Sequence, residues 1–212
     1  MRILEIYCDS DGPITDWRHA VLSLPRFEGW NIDQLNKSPD RESLLRQLYT
    51  DFPHFFYKLP IHHDGSRLLE VLMRYHQNSD MICQKRTVAF DQIRVNILTA
   101  IGTDHPDYNQ ASADKREFYH YKHQVSIPVV CVRDSCDKPK VMEHCGKHEV
   151  TRVLIDDFRR NCNEWEDPIH EVIYGGRNIA LHVDIDESNK ESSYDVNQLL
   201  GRLSAIIHEE KV

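Results

Sequence analysis

No stretch of this 212-residue chain approaches the ~20 consecutive apolar residues that a membrane-spanning helix requires. Its first residues lack the basic segment and apolar run of a secretory leader, so a soluble, cytoplasmic protein is the expectation. Positive charge is scarce: 26 Lys and Arg stand against 34 Asp and Glu, leaving a net charge of −8. That balance argues against a nucleic-acid polymer as the main ligand, because such binders present a basic face. It does not argue against a single nucleotide, which a few local cations and a metal can capture. The six cysteines include no Cys-x-x-Cys pair, and the histidines no His-Glu-x-x-His zincin signature. Cys8 and Cys131 fall in apolar runs and read as reduced core residues. Repeats and low-complexity tracts are absent as well.

What is present is a series of short apolar, β-branched runs alternating with helix-period segments. Residues 2–8 read as a strand that stops at Asp9-Ser10-Asp11-Gly12. Further strands are expected over 93–98, ending at Thr99, over 127–132, over 152–155, ending at Asp156-Asp157, and over 178–183 after Gly175-Gly176. The segment from 17 to about 75 differs in texture. Its helical patterns include Leu44, Leu45 and Leu48, then Leu68, Leu69, Leu72 and Met73, with Ser66 as the expected cap of the later helix. Residues 111–123 read as a crossover helix, 133–150 as a long polar connection, and 77–92 as irregular. Ser192 to Asp195 fit a capping box opening a helix whose apolar stripe is Val196, Leu199, Leu200, Leu203, Ile206 and Ile207. That stripe suits packing on the sheet, with a homodimer contact as the alternative. Alternating strands and helices imply a mostly parallel α/β sheet, whose ligands gather beyond the carboxyl ends of the strands.

Strand–Asp-x-Asp, strand–Thr and strand–Asp-Asp, in that order, resemble the haloacid-dehalogenase-like (HAD) phosphohydrolases. The phrases Cys8 to Trp17, Ile97-Leu98-Thr99-Ala100 and Leu154-Ile155-Asp156-Asp157, followed by Asn161 and Trp165, look most like its 5'(3')-deoxyribonucleotidase branch. The resemblance implies a Rossmann-like HAD fold with a five-stranded, mostly parallel sheet, strand one lying between strands two and four. A small helical cap is inserted after strand one. The catalytic core would then be residues 1–16 and 77–212, and the cap with its return helix residues 17–76.

The resemblance also implies an enzyme: a Mg2+-dependent phosphomonoesterase acting on 5'-nucleotides, most of all deoxyribonucleoside monophosphates. Asp9 would be the nucleophile that forms an aspartyl-phosphate, and Asp11 the acid and base. Thr99 would bond a phosphoryl oxygen, with Ala100 standing where relatives place a second hydroxyl. Mg2+ would be held by Asp9, the Asp11 carbonyl, Asp156 and Asp157, the direct and water-mediated ligands of the last pair being undecided. A lysine offsets the charge in the family; Lys138 matches best, with Lys140 and Lys147 as rivals, and Arg133 nearby as a phosphate contact. Trp17 stands where the nucleotidases stack the base, and Phe55 and Phe56 are expected on the cap side. His62-His63-Asp64-Gly65 replaces the family's Pro-Gly turn. Other readings remain open at this point: another phosphomonoester (a sugar phosphate or a nucleic-acid 3'-phosphate end), a non-catalytic HAD-like scaffold, or a zinc module built on Cys131, Cys136, His144, Cys145 and His148.

Overall fold

The apolar run at the N-terminus forms β1 (Arg2–Cys8), the middle strand of the sheet. The computed structural model describes residues 1–85, 87–186 and 193–208. After β1 come α1 (Trp17–Leu22), α2 (Ile32–Lys37), α3 (Arg41–Asp51), α4 (His63–Gln77) and α5 (Ser79–Cys83). The chain then alternates β2 (Gln92–Ala100), α6 (Tyr108–Glu117), β3 (Val129–Val132) and β4 (Glu149–Asp156). It continues with α7 (Arg159–Trp165), α8 (Pro168–Tyr174), β5 (Arg177–His182) and α9 (Val196–Ile207). All five strands are parallel, in the order β3-β2-β1-β4-β5, a Rossmann-like arrangement with β1 between β2 and β4 as expected. Parallel neighbours cannot be joined by tight hairpins, which is why a helix or long connection separates each pair. The strands carry near-continuous apolar runs because helices cover both faces.

Register sets the site. Cys8 lies opposite Ile97 of β2 and Ile155 of β4. The next residue past each end of those pairs places Asp9 beside Asp156, with Thr99 one step further on β2. The Asp9 amide donates to the Ile155 carbonyl at 2.8 Å, carrying the alignment beyond the strand end.

Several local features depart from the sequence reading. The fourth helix starts before Ser66: its cap is His62, whose Nδ1 accepts from the Gly65 amide at 3.1 Å. The same ring reaches the Gly12 carbonyl with Nε2 at 2.8 Å. Gly65 is required there, since a Cβ would run into the Ile14 backbone carbonyl. Residues 77–92 contain α5 and then Val88, Ala89 and Phe90, all buried. The crossover helix begins at Tyr108, capped by Asp107, and ends in a single π-helical turn, Phe118–Lys122. The polar connection before β4 contains a 3-10 helix, Ser135–Val141, capped by Asp134. Helix α9 is capped by Asp195, which accepts from the Gln198 amide; Ser192 lies outside the described residues. Its buried face (Val196, Leu199, Leu203 and Ile207) packs on α4 and β5 of the same chain.

Segment 17–76 shares its core with the sheet: Val21, Phe27, Leu35, Leu45 and Leu48 belong to one cluster with Leu4, Ile6 and Ile97. Among the described residues no helix is long and apolar enough to cross a membrane. The six cysteines are free thiols.

Candidate active site

Asp9, Asp156 and Asp157 each bring a carboxylate oxygen to within 4.8 Å of the others, and they are the only such metal-ligating group among the described residues. Between two of them sits Lys138, almost fully buried, its Nζ 2.9 Å from Asp9 Oδ2 and 2.6 Å from Asp156 Oδ2. Of the three lysines weighed on sequence, Lys140 pairs with Asp137 on the surface and Lys147 is exposed. The 3-10 helix is what separates them, turning Lys138 inward and Lys140 outward.

Asp156 is held on every side. Its Oδ1 accepts from the Phe158 amide at 2.8 Å, and the Asn161 Nδ2 donates to both its oxygens. Asn161 Oδ1 is buried without a protein partner. An orphaned oxygen beside three convergent carboxylates is the donor set a hard, oxygen-seeking divalent cation prefers, so these residues fit Mg2+. Asp157 rests against Gly12, whose φ of +111° and lack of a Cβ leave room for the carboxyl group. Its Oδ2 takes Arg18 Nη2 from α1 at 2.6 Å.

Burial is the main electrostatic force here. It pushes the Asp9 carboxyl well above the usual carboxylate range against the pull of Lys138, with Asp156 adding to the rise. Burial also raises Asp157 to about 7, Arg18 opposing and Asp156 reinforcing. Lys138 is shifted upward by Asp9 and Asp156, which together outweigh the desolvation that acts the other way.

Asp11 faces a second cation. Lys115 Nζ lies 2.5 Å from Asp11 Oδ2 and 2.8 Å from Thr99 Oγ1, and sits over the Phe56 ring at 4.5 Å. Thr15 Oγ1 donates to Asp11 Oδ1 at 2.9 Å. The ammonium donates to Thr99, so the threonine O–H keeps its own hydrogen for another acceptor.

A cavity of about 580 Å3 opens over the carboxylates, lined among others by Trp17, Arg18, Ala100, Ser135, Lys138 and Phe158. Beside it a hollow of about 340 Å3 is walled by Trp17, Tyr49, Phe56, Glu42, Asp104 and Asp134.

The expected residues thus separate into two groups. Asp9, Asp11, Thr99, Lys138, Asp156 and Asp157 meet at one sheet edge, with Trp17 and Ala100 on the cavity wall. Arg133 does not reach it: the guanidinium donates to the Thr103 and His105 carbonyls and covers the Tyr108 ring. Phe55 and Phe56 are both packed into the core against Tyr49, and of the two only Phe56 borders the hollow. The five zinc candidates do not converge; Cys136, His144 and His148 are exposed and His144 Nδ1 accepts from the Gly146 amide.

Sequence reasoning missed Lys115, Arg18, Phe158 and Ser135. Lys115 had a legible signal. It occupies the helix stripe of Ala111, Phe118 and Tyr119, where an apolar residue is the norm.

No family model and no curated protein matches this chain. Among solved structures, the HAD domain of the effector protein Lem4 from Legionella pneumophila matches over 100% of this chain and 98% of that one, at 12% identity and a TM-score of 0.46. A structure of an inactive mutant of that domain matches over 98% and 95%, with the same identity and TM-score.

Proposed function

We propose that the protein is a Mg2+-dependent phosphomonoesterase that hydrolyses 5'-nucleotides, deoxyribonucleoside monophosphates foremost, through an aspartyl-phosphate. The observation that carries this reading is the convergence of Asp9 with Asp156, Asp157 and the buried Lys138 at the carboxyl edge of the sheet. A phosphate monoester dianion repels a carboxylate, so its oxygens must be neutralised before in-line attack. Bound Mg2+, held by Asp9, Asp156, Asp157 and the Asp11 carbonyl, would supply part of that neutralisation.

The chain's own groups do the rest. An Asp9 carboxylate oxygen forms the bond to phosphorus as the ester P–O bond breaks. Asp11 delivers a proton to the departing alkoxide, then takes one from the water that cleaves the acyl phosphate. Thr99 donates its O–H to a phosphoryl oxygen, Lys138 offsets charge beneath the nucleophile, and Lys115 fixes Asp11 and Thr99 in register. Trp17, on the wall shared by the cavity and the hollow, offers a stacking face for a base. The acidic hollow beyond it suits the neutral hydroxyl-bearing part of a nucleoside or sugar and repels a polyphosphate strand. A sugar phosphate is therefore the second reading, ahead of a nucleic-acid end.

Phosphate release from a panel of nucleoside monophosphates, sugar phosphates and 3'-phosphorylated oligonucleotides, with and without Mg2+, tests the proposal. Nucleotide turnover that needs Mg2+ and falls by about a thousandfold or more in Asp9→Asn is the expected result. Undiminished turnover in Asp9→Asn removes the nucleophile, and preference for an oligonucleotide end removes the substrate class.

A further inference from the structure

Asp157 carries a partner that the proposed chemistry does not use. Arg18 Nη2 sits 2.6 Å from Asp157 Oδ2, with the arginine side chain 22% and the aspartate 8% exposed. The guanidinium belongs to α1, outside the sheet, and lines the cavity beside Trp17. Asp157 is at the same time one of the three carboxylates able to share a cation. One carboxylate thus serves two competing positive charges.

Charge counting shows how they exclude one another. Asp9, Asp156 and Asp157 carry three negative charges when ionised, and Lys138 and Arg18 return two. Adding a divalent ion with Arg18 in place leaves the cluster one charge positive; with Arg18 released it is neutral. A released Arg18 remains tethered by α1 at the cavity wall. There its planar fork of donors matches two oxygens of a phosphoryl group, a geometry that a lysine at the same place does not offer.

We propose that Arg18 is an exchangeable cation: it holds Asp157 in the metal-free protein, yields that carboxylate to Mg2+, and then clamps the entering phosphate. The proposal rests on the reading of the aspartate cluster as a Mg2+ site. It makes metal and phosphate binding mutually reinforcing, since each favours the state in which Arg18 has left Asp157.

Calorimetric titration of the phosphate-free protein with Mg2+, then of the Mg2+-loaded protein with inorganic phosphate, tests both halves. Arg18→Gln removes the competing charge, and Arg18→Lys keeps it while losing the fork; circular dichroism checks that both are folded. Arg18→Gln is expected to bind Mg2+ about fivefold to tenfold more tightly than the wild type, and phosphate about tenfold more weakly. Arg18→Lys is expected to bind Mg2+ like the wild type but phosphate like Arg18→Gln. Unchanged or weaker Mg2+ binding in Arg18→Gln overturns the exchange and makes Arg18 a fixed outer support of Asp157, with the metal site intact. Unchanged phosphate binding overturns the clamp. A wild-type protein that binds no Mg2+ takes the exchange down together with the metal reading itself.

Discussion

Lys138 and Lys115 are buried cations with different duties. Lys138 is the only positive partner within reach of the deeply buried Asp156, among the ion pairs of the described residues. Replacing it with methionine leaves two carboxylates in a dry site, and breaking a buried pair from one side costs about 3 kcal/mol or more. Urea unfolding of Lys138→Met should register that loss, and a midpoint within error of the wild type would refute the role. Lys115→Met strands Asp11 and Thr99 without their common donor. With Asp11 as the proposed proton-transfer group, kcat is expected to fall by about a hundredfold with KM less affected. Acidity gives a further check. Asp157, raised to about 7, and Asp9, raised by burial, hold protons in the folded chain that the unfolded chain releases at ordinary carboxylate values. Without metal, these two groups therefore cost stability progressively as pH climbs from about 4 through 7 and above. Mg2+ at the proposed site would take only the ionised form, displacing those protons and removing the cost. The rise in melting temperature on adding Mg2+ should be larger at about pH 8 than at about pH 6, as read by scanning calorimetry; equal rises at both would contradict it.

One ring ties the loop after β1 to α4. His62 both caps the helix through Nδ1 and holds the Gly12 carbonyl through Nε2. His62→Ala loses a cap and a buried hydrogen bond, for which about 2 kcal/mol of stability is expected; His62→Asn keeps the cap and should recover about half. Equal midpoints for the two variants would mean that the contact to Gly12 contributes nothing. At the sheet margin, β5 carries its own guard. The Asn178 and Ala180 amides, which no strand pairs, donate to Glu171 and Glu166 at 2.8 Å each. Open edge amides invite strand addition. The double variant Glu166→Ala, Glu171→Ala should scatter more light on mild heating, while an unchanged scattering onset would show that the edge is protected in some other way.

Across the whole molecule, the helices of segment 17–76 do not form a core of their own. Their buried side chains belong to the cluster that underlies β1 and β2. Removing them exposes the sheet, so a single unfolding transition is expected by both calorimetry and near-ultraviolet dichroism. Two resolved transitions would show that the segment is an independent unit. The negative surface and the acidic hollow have a common consequence at this scale. Among the described residues, the positive charges that line the cavity are Arg18, Arg41 and Lys138, a small patch that suits the single phosphate of the proposed substrate.

Much of this could be read before any tertiary contact was known. Short apolar runs ending in Asp9, Thr99 and Asp156 marked the strand ends, because a strand buried on both faces must be continuously apolar until it meets solvent. The stripe of α9 was legible for the same reason, its period of burial being written in the residues themselves. Other features were decided only when the chain closed on itself. Which lysine turns inward depends on a 3-10 helix with a weak sequence pattern, and Arg133 was drawn off by carbonyls more than two dozen residues away. Phe55 and Phe56 are adjacent, alike and both buried in the core, yet only Phe56 borders the hollow. Lys115 and Arg18 find their carboxylates 104 and 139 residues distant along the chain. Such pairings are matters of distance in space, to which local periodicity carries no guide.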